Sequence, residues 1–383
     1  TPCGTLFPYT TLFRSVSFNY VLDAMEELGV QERVKVLRIG FSHPMPSAMI
    51  TAFLKECEKA LVVEEGEPWM EESVKAAAQE AGITIPIKGK GEKLFSRLYE
   101  FDPAMVKGIM ADYFGLEHAP VIPVDFSDIP EIPQRPPNLC AGCSHRATYY
   151  AVKKAAEGLA TIYPTDIGCY TLGLLPPLSM ADFLICMGSS AGTACGFSQA
   201  TDKKVVAFIG DSTFFHSGIA PLINGVFNNH NFTLVILDNG TTSMTGHQPL
   251  PGVDMEQLRC SGYGRVSIEN VVRAVGVCQV EVIRPYRVKK SIESIRRALE
   301  FEGVSVVISK ESCPLFAKGL KKPHGKPFYV SGKCKNHRDC IDQLGCPAFY
   351  TEGGKVKIDA DTCVGCTLCA QICPENAILP IKA

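Results

Sequence analysis

The sequence predicts an α/β protein: two successive parallel α/β domains, the second doubly wound, followed by a small α+β domain rich in cysteine. Three observations carry this expectation. Helical periods alternate with short apolar strands from Val16 to about Gly115, and again from Asn138 to about Leu320, as in parallel sheets. A proline-rich stretch from Pro120 to Pro137 separates the two runs and reads as an extended connector. Seven cysteines then crowd between Cys334 and Cys373, beyond a Lys, Pro and Gly linker at Lys318 to Lys326. The expected domains are 16–130 (an accessory α/β domain), 131–320 and 326–383.

A chain of 383 residues is long enough for two or three sizeable cores. Its formal net charge of −2 gives no electrostatic ground for a nucleic acid or an anionic membrane as partner. No apolar run reaches the roughly 18 residues of a membrane-spanning helix. Seventeen cysteines, clustered as metal ligands rather than spread through small loop-rich domains, imply a reducing cytoplasm. Thr1 to Ser15 has neither an initiator Met nor the pattern of a signal peptide. It reads as a non-native leader at a point of truncation, and is set aside from the fold.

In the first domain the pattern predicts helices at Phe18–Leu28, Met45–Glu58 and Met70–Ala81, strands at Val34–Ile39 and Ala60–Glu64, and helical character from Leu94 to Leu116. Glu64-Glu65-Gly66-Glu67 follows a strand and reads as a solvated loop, with a site at the strand edge as the alternative. In the second domain, Val205–Ile209, Leu234–Leu237, Val280–Ile283 and Val304–Ile308 are continuous apolar strands of the kind buried on both faces. Shorter strands are expected at Ala160–Tyr163 and Phe183–Cys186.

The spacing Cys363-x-x-Cys366-x-x-Cys369-x-x-x-Cys373-Pro374 is the iron-sulfur signature of two-cluster ferredoxins. Three thiolates wrap one cluster while Cys373, expected to begin a helix, reaches a second; the chain therefore handles electrons singly. Zinc sites instead pair their ligands as separated C-x-x-C knuckles. The second cluster's remaining ligands should lie upstream, where Cys334, Cys340 and Cys346-Pro347 form the other half. His337 stands where one further cysteine is due. Either its imidazole ligates iron, or that cluster lacks an iron or is lost, or His337 is a solvated loop residue.

The strand Val205–Ile209 runs into Gly210-Asp211-Ser212, a helix is expected from about Gly218 to Asn228, and strand Thr233–Leu237 runs into Asp238-Asn239-Gly240-Thr241-Thr242. A right-handed crossover puts both strand exits on one edge, so Asp211 and Asn239 can converge. A carboxylate, an amide oxygen and a backbone carbonyl suit a hard divalent cation completed by diphosphate oxygens. Gly210 allows close approach of phosphate. The turn Met187-Gly188-Ser189-Ser190-Ala191-Gly192 either faces the cofactor with its amides or is a packing turn. A further set of cysteines, Cys140-x-x-Cys143, Cys169 (after Gly168) and Cys313, falls at the same edge. A cluster, a zinc ion on the C-x-x-C, and simple burial all remain open there; Cys57, Cys186, Cys195, Cys260 and Cys278 read as core.

The Gly-Asp pair followed by Asn at this distance resembles the thiamine-diphosphate motif. That resemblance implies Mg2+ on Asp211, Asn239 and the main-chain oxygen of Thr241, with Gly168, Cys169, Gly188, Ser189, Ser190, Gly210, Ser212, Thr242 and Thr245 near the cofactor. The scatter of Cys140, Cys143, Cys169 and Cys313 resembles the cofactor-proximal four-iron site of the 2-oxoacid:ferredoxin oxidoreductases. Over residues 16–383 the motif order, with Asn138 to Ala147, Leu237 to Pro249 and the irregular upstream cluster, is similar to the alpha subunits of the indolepyruvate ferredoxin oxidoreductases.

The resemblance implies thiamine diphosphate, Mg2+, two [4Fe-4S] clusters and a third proximal one. It also implies oxidative decarboxylation of 2-oxoacids, aryl pyruvates such as indolepyruvate, to acyl-CoA, with coenzyme A, ferredoxin and a beta subunit as partners. Thr245 and Gly246 are then expected near cofactor or coenzyme A, and His145 is expected as a satisfied loop histidine rather than a substrate contact. The family's activating Glu sits on a pyrimidine-binding domain that this sequence does not contain, so the chain alone is expected to be inactive. The competing reading is a non-catalytic electron-transfer subunit with a ferredoxin tail.

Overall fold

The computed structural model describes residues 3–7, 16–91, 93–118, 127–132, 136–253, 264–322 and 325–381. They fall into two compact units, Thr1–Ile132 and Pro133–Ala383. The first holds four parallel strands, β1 (Cys3–Phe7), β2 (Val34–Arg38), β3 (Ala60–Val62) and β4 (Ile87–Lys88), in the order β2-β1-β3-β4. Helices α1 (Val16–Glu27), α2 (Ser47–Leu54), α3 (Trp69–Glu80) and α4 (Pro103–Phe114) cover it. Val21, Met25, Val106 and Met110 of α1 and α4 fill one core. Ile50, Leu54, Met70 and Val74 of α2 and α3 fill the other.

Three expectations change in this unit. Although residues 1–15 are set aside on sequence grounds, the backbone of Cys3–Phe7 forms the strand between β2 and β3. The helix expected from Leu94 begins only at Pro103, because Asp102 caps it, its Oδ1 accepting from Met105 N at 2.8 Å, and proline favours the first helical position. The stretch before it instead stacks Phe95 on Phe101, ring centroids 5.0 Å apart. Glu64 is buried rather than solvated: its carboxylate accepts from the amides of Met70 (2.8 Å) and Glu71 (2.9 Å), capping the start of α3.

The second unit is doubly wound. Helix α5 (Ser144–Ala155) leads to β5 (Thr161–Ile162), α6 (Ser189–Ala200) and β6 (Lys204–Gly210). The short α7 (Asp211–Thr213) follows, then a π-helical turn at Phe214–Gly218, α8 (Ile219–Phe227) and β7 (Phe232–Asp238). After these come α9 (Ile268–Ala274), β8 (Gln279–Ile283), α10 (Val288–Glu300), β9 (Val304–Lys310) and α11 (Pro314–Gly319). The strands pair in parallel as β5-β6-β7-β9-β8. Successive residues of a strand point to opposite faces: Val206 and Phe208 pack against α5 and α10, while Val205, Ala207 and Ile209 pack against α6 and α8. Burial on both faces explains why these strands are apolar throughout. Phe183–Cys186 is not a strand; it makes one bridge, Pro164 to Phe183, and leaves Leu184, Ile185 and Met187 partly exposed at the sheet edge.

The cysteine-rich tail belongs to this same compact unit. It consists of β10 (Phe328–Val330), α12 (Asp339–Asp342), β11 (Phe349–Glu352), β12 (Lys355–Ile358), α13 (Leu368–Ile372) and β13 (Ile378–Pro380). Strands β10 and β13 pair antiparallel, as do β11 and β12. Leu344 and Leu368 pack on Ala147, Tyr150 and Val288 of α5 and α10. Polar contacts complete the seam: Tyr286 Oη donates to Gly142 O, and Gln371 Nε2 donates to Tyr286 O at 2.7 Å. Among the described residues no helix is long and apolar enough to cross a membrane.

At the centre of the seam the Cys140–Cys143 loop touches the Cys363–Cys366 loop. Gly142 has φ +65°, and a Cβ there would lie 2.1 Å from Val364 Cγ2 and 3.4 Å from Cys366 Cβ. Gly142→Ala is therefore expected to destabilise the unit by about 1–3 kcal/mol in denaturant unfolding, from overpacking and left-handed strain together. Adding Val364→Ala should recover part of the loss. Wild-type stability of the single variant would refute the contact.

Candidate cofactor and cysteine sites

The register of β6 against β7 sets Gly210 opposite Leu237, so the two strands end side by side. Asp211 Oδ2 then accepts from the amides of Asn239 (3.1 Å) and Gly240 (2.8 Å), while Oδ1 accepts from Ser212 N (2.7 Å). The convergence expected across 28 positions is thus present in the folded chain. Asp211 is 3 % exposed, and burial, followed by the nearby Asp238 carboxylate, pushes its carboxyl up to about 7. Among the described residues it has no Lys or Arg within ion-pair distance. A buried carboxylate without a cation is the environment that a divalent ion relieves.

These groups open on a cavity of about 130 Å³, well beyond the roughly 10–15 Å³ that one water needs. Gly168, Cys169, Gly210, Asp211, Ser212, Asn239, Thr241, Thr242 and Thr245 all lie on its wall. Gly188, Ser189 and Ser190 do not. A Cβ on Gly188 (φ +83°) would meet Ser217 Oγ at 1.9 Å, and Ser190 Oγ donates to Asp166 Oδ2 at 2.9 Å. Ser189 Oγ donates to Cys186 O at 2.8 Å. Of the alternatives for this turn, the contacts favour packing. Gly246 is likewise not on the wall, although the loop carrying it closes through Thr245 Oγ1 to Gln248 Oε1 at 2.7 Å.

Several wall residues were not singled out from the sequence. Tyr170 Oη donates to Asp166 Oδ1 beneath the cavity, and burial pushes Asp166 up to about 6 and Tyr170 upward. A Cβ on Gly210 would lie 2.7 Å from the Tyr170 ring, so that glycine makes room for Tyr170. Thr213, Ser243 and Met244 also line the space. His145 is not a loop histidine. It lies in the first turn of α5, 3 % exposed, with Nε2 3.3 Å from Asn239 Nδ2 and Nδ1 without a partner. Burial lowers its pKa to about 4, which keeps it neutral. Its only sequence signal is its place two residues after Cys143.

A second cavity, about 90 Å³, adjoins the first. Cys140, Cys143, Cys169 and Cys313 all line it, and His145, Cys169, Asn239 and Ser243 line both cavities. Burial, reinforced by the other thiols, pushes Cys169 up to about 11; such a set ionises readily only with a metal present. In the tail, one cavity is lined by Cys346, Cys363, Cys366 and Cys369, and another by Cys334, His337, Cys340 and Cys373. Cys373 thus lies with the upstream pair, as expected, whereas Cys346, expected with Cys334 and Cys340, lies with the downstream three instead. Among the described residues no three His, Cys, Asp or Glu side chains converge as they do around one metal ion. The cysteines of each set instead surround a small space.

Three details depart from expectation. Cys373 follows α13 as its C-cap and begins no helix. His337 is half exposed and its Nε2 lies 3.0 Å from Glu375 Oε1, so one ring nitrogen already has a partner. Cys57 and Cys195 are buried but Cys186 and Cys278 are exposed, and Cys260 lies outside the described residues.

This partition predicts paired losses. In anaerobically reconstituted protein, Cys346→Ser should abolish the same electron paramagnetic resonance (EPR) signal as Cys363→Ser, and Cys373→Ser the same signal as Cys334→Ser. Loss of the Cys363 signal in Cys373→Ser would contradict the partition.

Comparison with known proteins gives two domain matches. Residues 166–309 match the C-terminal TPP-binding domain of thiamine pyrophosphate enzymes, and residues 356–379 match a 4Fe-4S binding domain. Indolepyruvate oxidoreductase subunit IorA of Methanothermobacter thermautotrophicus is 47 % identical over 370 residues, 95 % of this chain and 58 % of that protein. The subunit of the same name from Thermococcus kodakarensis is 41 % identical over 396 residues, 96 % of this chain and 60 % of that protein. A solved 2-oxoglutarate:ferredoxin oxidoreductase from Magnetococcus marinus overlaps 48 % of this chain and 66 % of its own, at 22 % identity and TM-score 0.43. The chain thus spans somewhat more than half the length of the curated relatives it matches, and across 95 % of its own residues it is similar to the IorA subunits of indolepyruvate oxidoreductase.

Proposed function

We propose that this chain binds thiamine diphosphate and Mg2+ at Asp211, Asn239 and the carbonyl of Thr241, and serves in the oxidative decarboxylation of 2-oxoacids. The substrates on this reading are aryl pyruvates such as indolepyruvate, converted to acyl-CoA and CO2 in the cytoplasm. Electrons leave singly through iron-sulfur clusters to ferredoxin, and a beta subunit completes the enzyme. The relatives' printed name supports the substrate class.

The observation that carries the reading is the shared wall. His145, Cys169, Asn239 and Ser243 separate the Asp211 cavity from the Cys140 cavity by a single layer of side chains. Thiamine diphosphate, held there, would supply a carbon nucleophile for a 2-oxoacid carbonyl and an electron sink for decarboxylation. Asp211 and Asn239 hold the cation that anchors the diphosphate. Neutral His145 presents no charge to the reacting end, and its contact with Asn239 Nδ2 orients that amide. Cysteines one layer away provide for a cluster close enough to take electrons directly. A three-cluster order follows: the Cys140, Cys143, Cys169 and Cys313 site, then the Cys346 set, then the Cys334, Cys340 and Cys373 set, with His337 as its atypical corner.

Asp211→Ala is expected to weaken thiamine diphosphate binding at least tenfold in calorimetry and to remove its dependence on Mg2+. Unchanged, Mg2+-dependent binding would overturn the cofactor assignment. In the holoenzyme assembled with its partner subunit, coenzyme A-dependent ferredoxin reduction should run faster with aryl pyruvates than with pyruvate. The reverse order would overturn the substrate class.

A further inference from the structure

Arg146 heads the largest fully buried side chains among the described residues, 1 % exposed. Its guanidinium reaches only neutral acceptors: Nη1 donates to Leu344 O and to Gly345 O (2.9 Å), and Nη2 to Leu139 O and Asn138 Oδ1 (3.2 Å). Among the described residues its Nε has no partner and no carboxylate pairs with it. A permanently charged group held out of water with no anion is an unusual expense in a folded protein. The identity of its carbonyl partners indicates where the anion belongs. Leu139 immediately precedes Cys140, and Gly345 immediately precedes Cys346. One cation therefore fastens the first ligand loop of the central cysteine site to the crossed-over ligand of the tail site. The loops meet beside it, at Gly142 against Val364 and Cys366.

We infer that Arg146 is the shared counter-ion of the two neighbouring iron-sulfur sites, raising the reduction potential of both and holding them at a fixed separation. The inference rests on the cluster reading above. A four-iron cluster ligated by thiolates is anionic, and each reduction adds one negative charge. A buried cation between two such groups favours the reduced form of each, since net charge and hydrogen bonding near the sulfurs set these potentials. The planar fork explains why arginine is used: it spans carbonyls on both sides at once, which a lysine ammonium on a flexible stem does less well. Arg146 acts through the clusters and not on substrate, so it is a positioning residue. The Cys334, Cys340 and Cys373 site, none of whose wall residues touches Arg146, supplies an internal control.

The test is an EPR-monitored potentiometric titration of the reconstituted 383-residue chain, wild type against Arg146→Gln and Arg146→Lys. In Arg146→Gln the central and Cys346 clusters should each need a potential lower by about 59 mV for half reduction, a tenfold change in the reduced-to-oxidised ratio for a one-electron couple. The Cys334 cluster should not move, and Arg146→Lys should stay close to the wild-type potentials. Both clusters present with unshifted potentials in Arg146→Gln overturns the inference and leaves the functional reading standing. Wild-type iron and EPR analysis showing no cluster at either cysteine set overturns the reading, and the inference with it. If Arg146→Gln retains no iron, Arg146→Lys decides: clusters at near wild-type potentials support the counter-ion, while loss of iron there too assigns Arg146 to hydrogen bonding alone and overturns it.

Discussion

The pairing of β6 with β7 is the constraint on which the rest depends. A parallel register with Gly210 opposite Leu237 ends both strands at one level, and the Asp211 carboxylate closes the gap by accepting the Asn239 and Gly240 amides. The loops leaving this edge are then built on one another. Cys313 N donates to Asn239 O at 3.0 Å, so the loop after β9 that carries a thiol is fastened to the loop that carries the proposed cation ligand. His145 reaches the same Asn239 from α5, two residues beyond Cys143. Ligand placement at the C-terminal edge of a parallel sheet is a general property of such folds; here the same edge borders both the Asp211 cavity and a set of four cysteines.

The second consequence is that the tail is not an appendage. Leu344 and Leu368 bury themselves on α5 and α10, Arg146 fastens the backbone before Cys346, and Gly142 removes the side chain that would keep Val364 away. Each contact involves a residue within a few positions of a cysteine. The interface that holds the tail in place is therefore also the interface that sets the distance between cysteine sites, so on the proposed function folding and electron transfer would depend on the same atoms.

Much of this was legible in the sequence, for identifiable reasons. Continuous apolar strands such as Val205–Ile209 and Val304–Ile308 can be satisfied only by a sheet covered on both faces, and the crossover rule then brings Asp211 to Asn239 without any knowledge of coordinates. The crossing of Cys373 was readable from its spacing, but the reciprocal placement of Cys346 beside Cys363, Cys366 and Cys369 was not. What could not be read depends on contacts between distant segments. Phe183–Cys186 has the composition of a strand, but it lies at the sheet edge beside the cavity. Glu64 resembles its exposed neighbours Glu65 and Glu67, and only the start of α3 folding back over it makes it a buried cap. Arg146 looks like an ordinary helix residue until Leu139 and Leu344, 205 positions apart in the chain, meet around it.

The account's central claim is that electrons must cross from the Asp211 cavity through the Cys140 site before reaching the tail. Rapid freeze-quench EPR of the holoenzyme mixed with a 2-oxoacid tests it most directly, comparing Cys140→Ser with Cys373→Ser. The account predicts that the tail clusters of Cys140→Ser stay oxidised on the timescale of wild-type turnover, while Cys373→Ser still shows the reduced Cys363 cluster. Reduction of the tail at the wild-type rate in Cys140→Ser would contradict it.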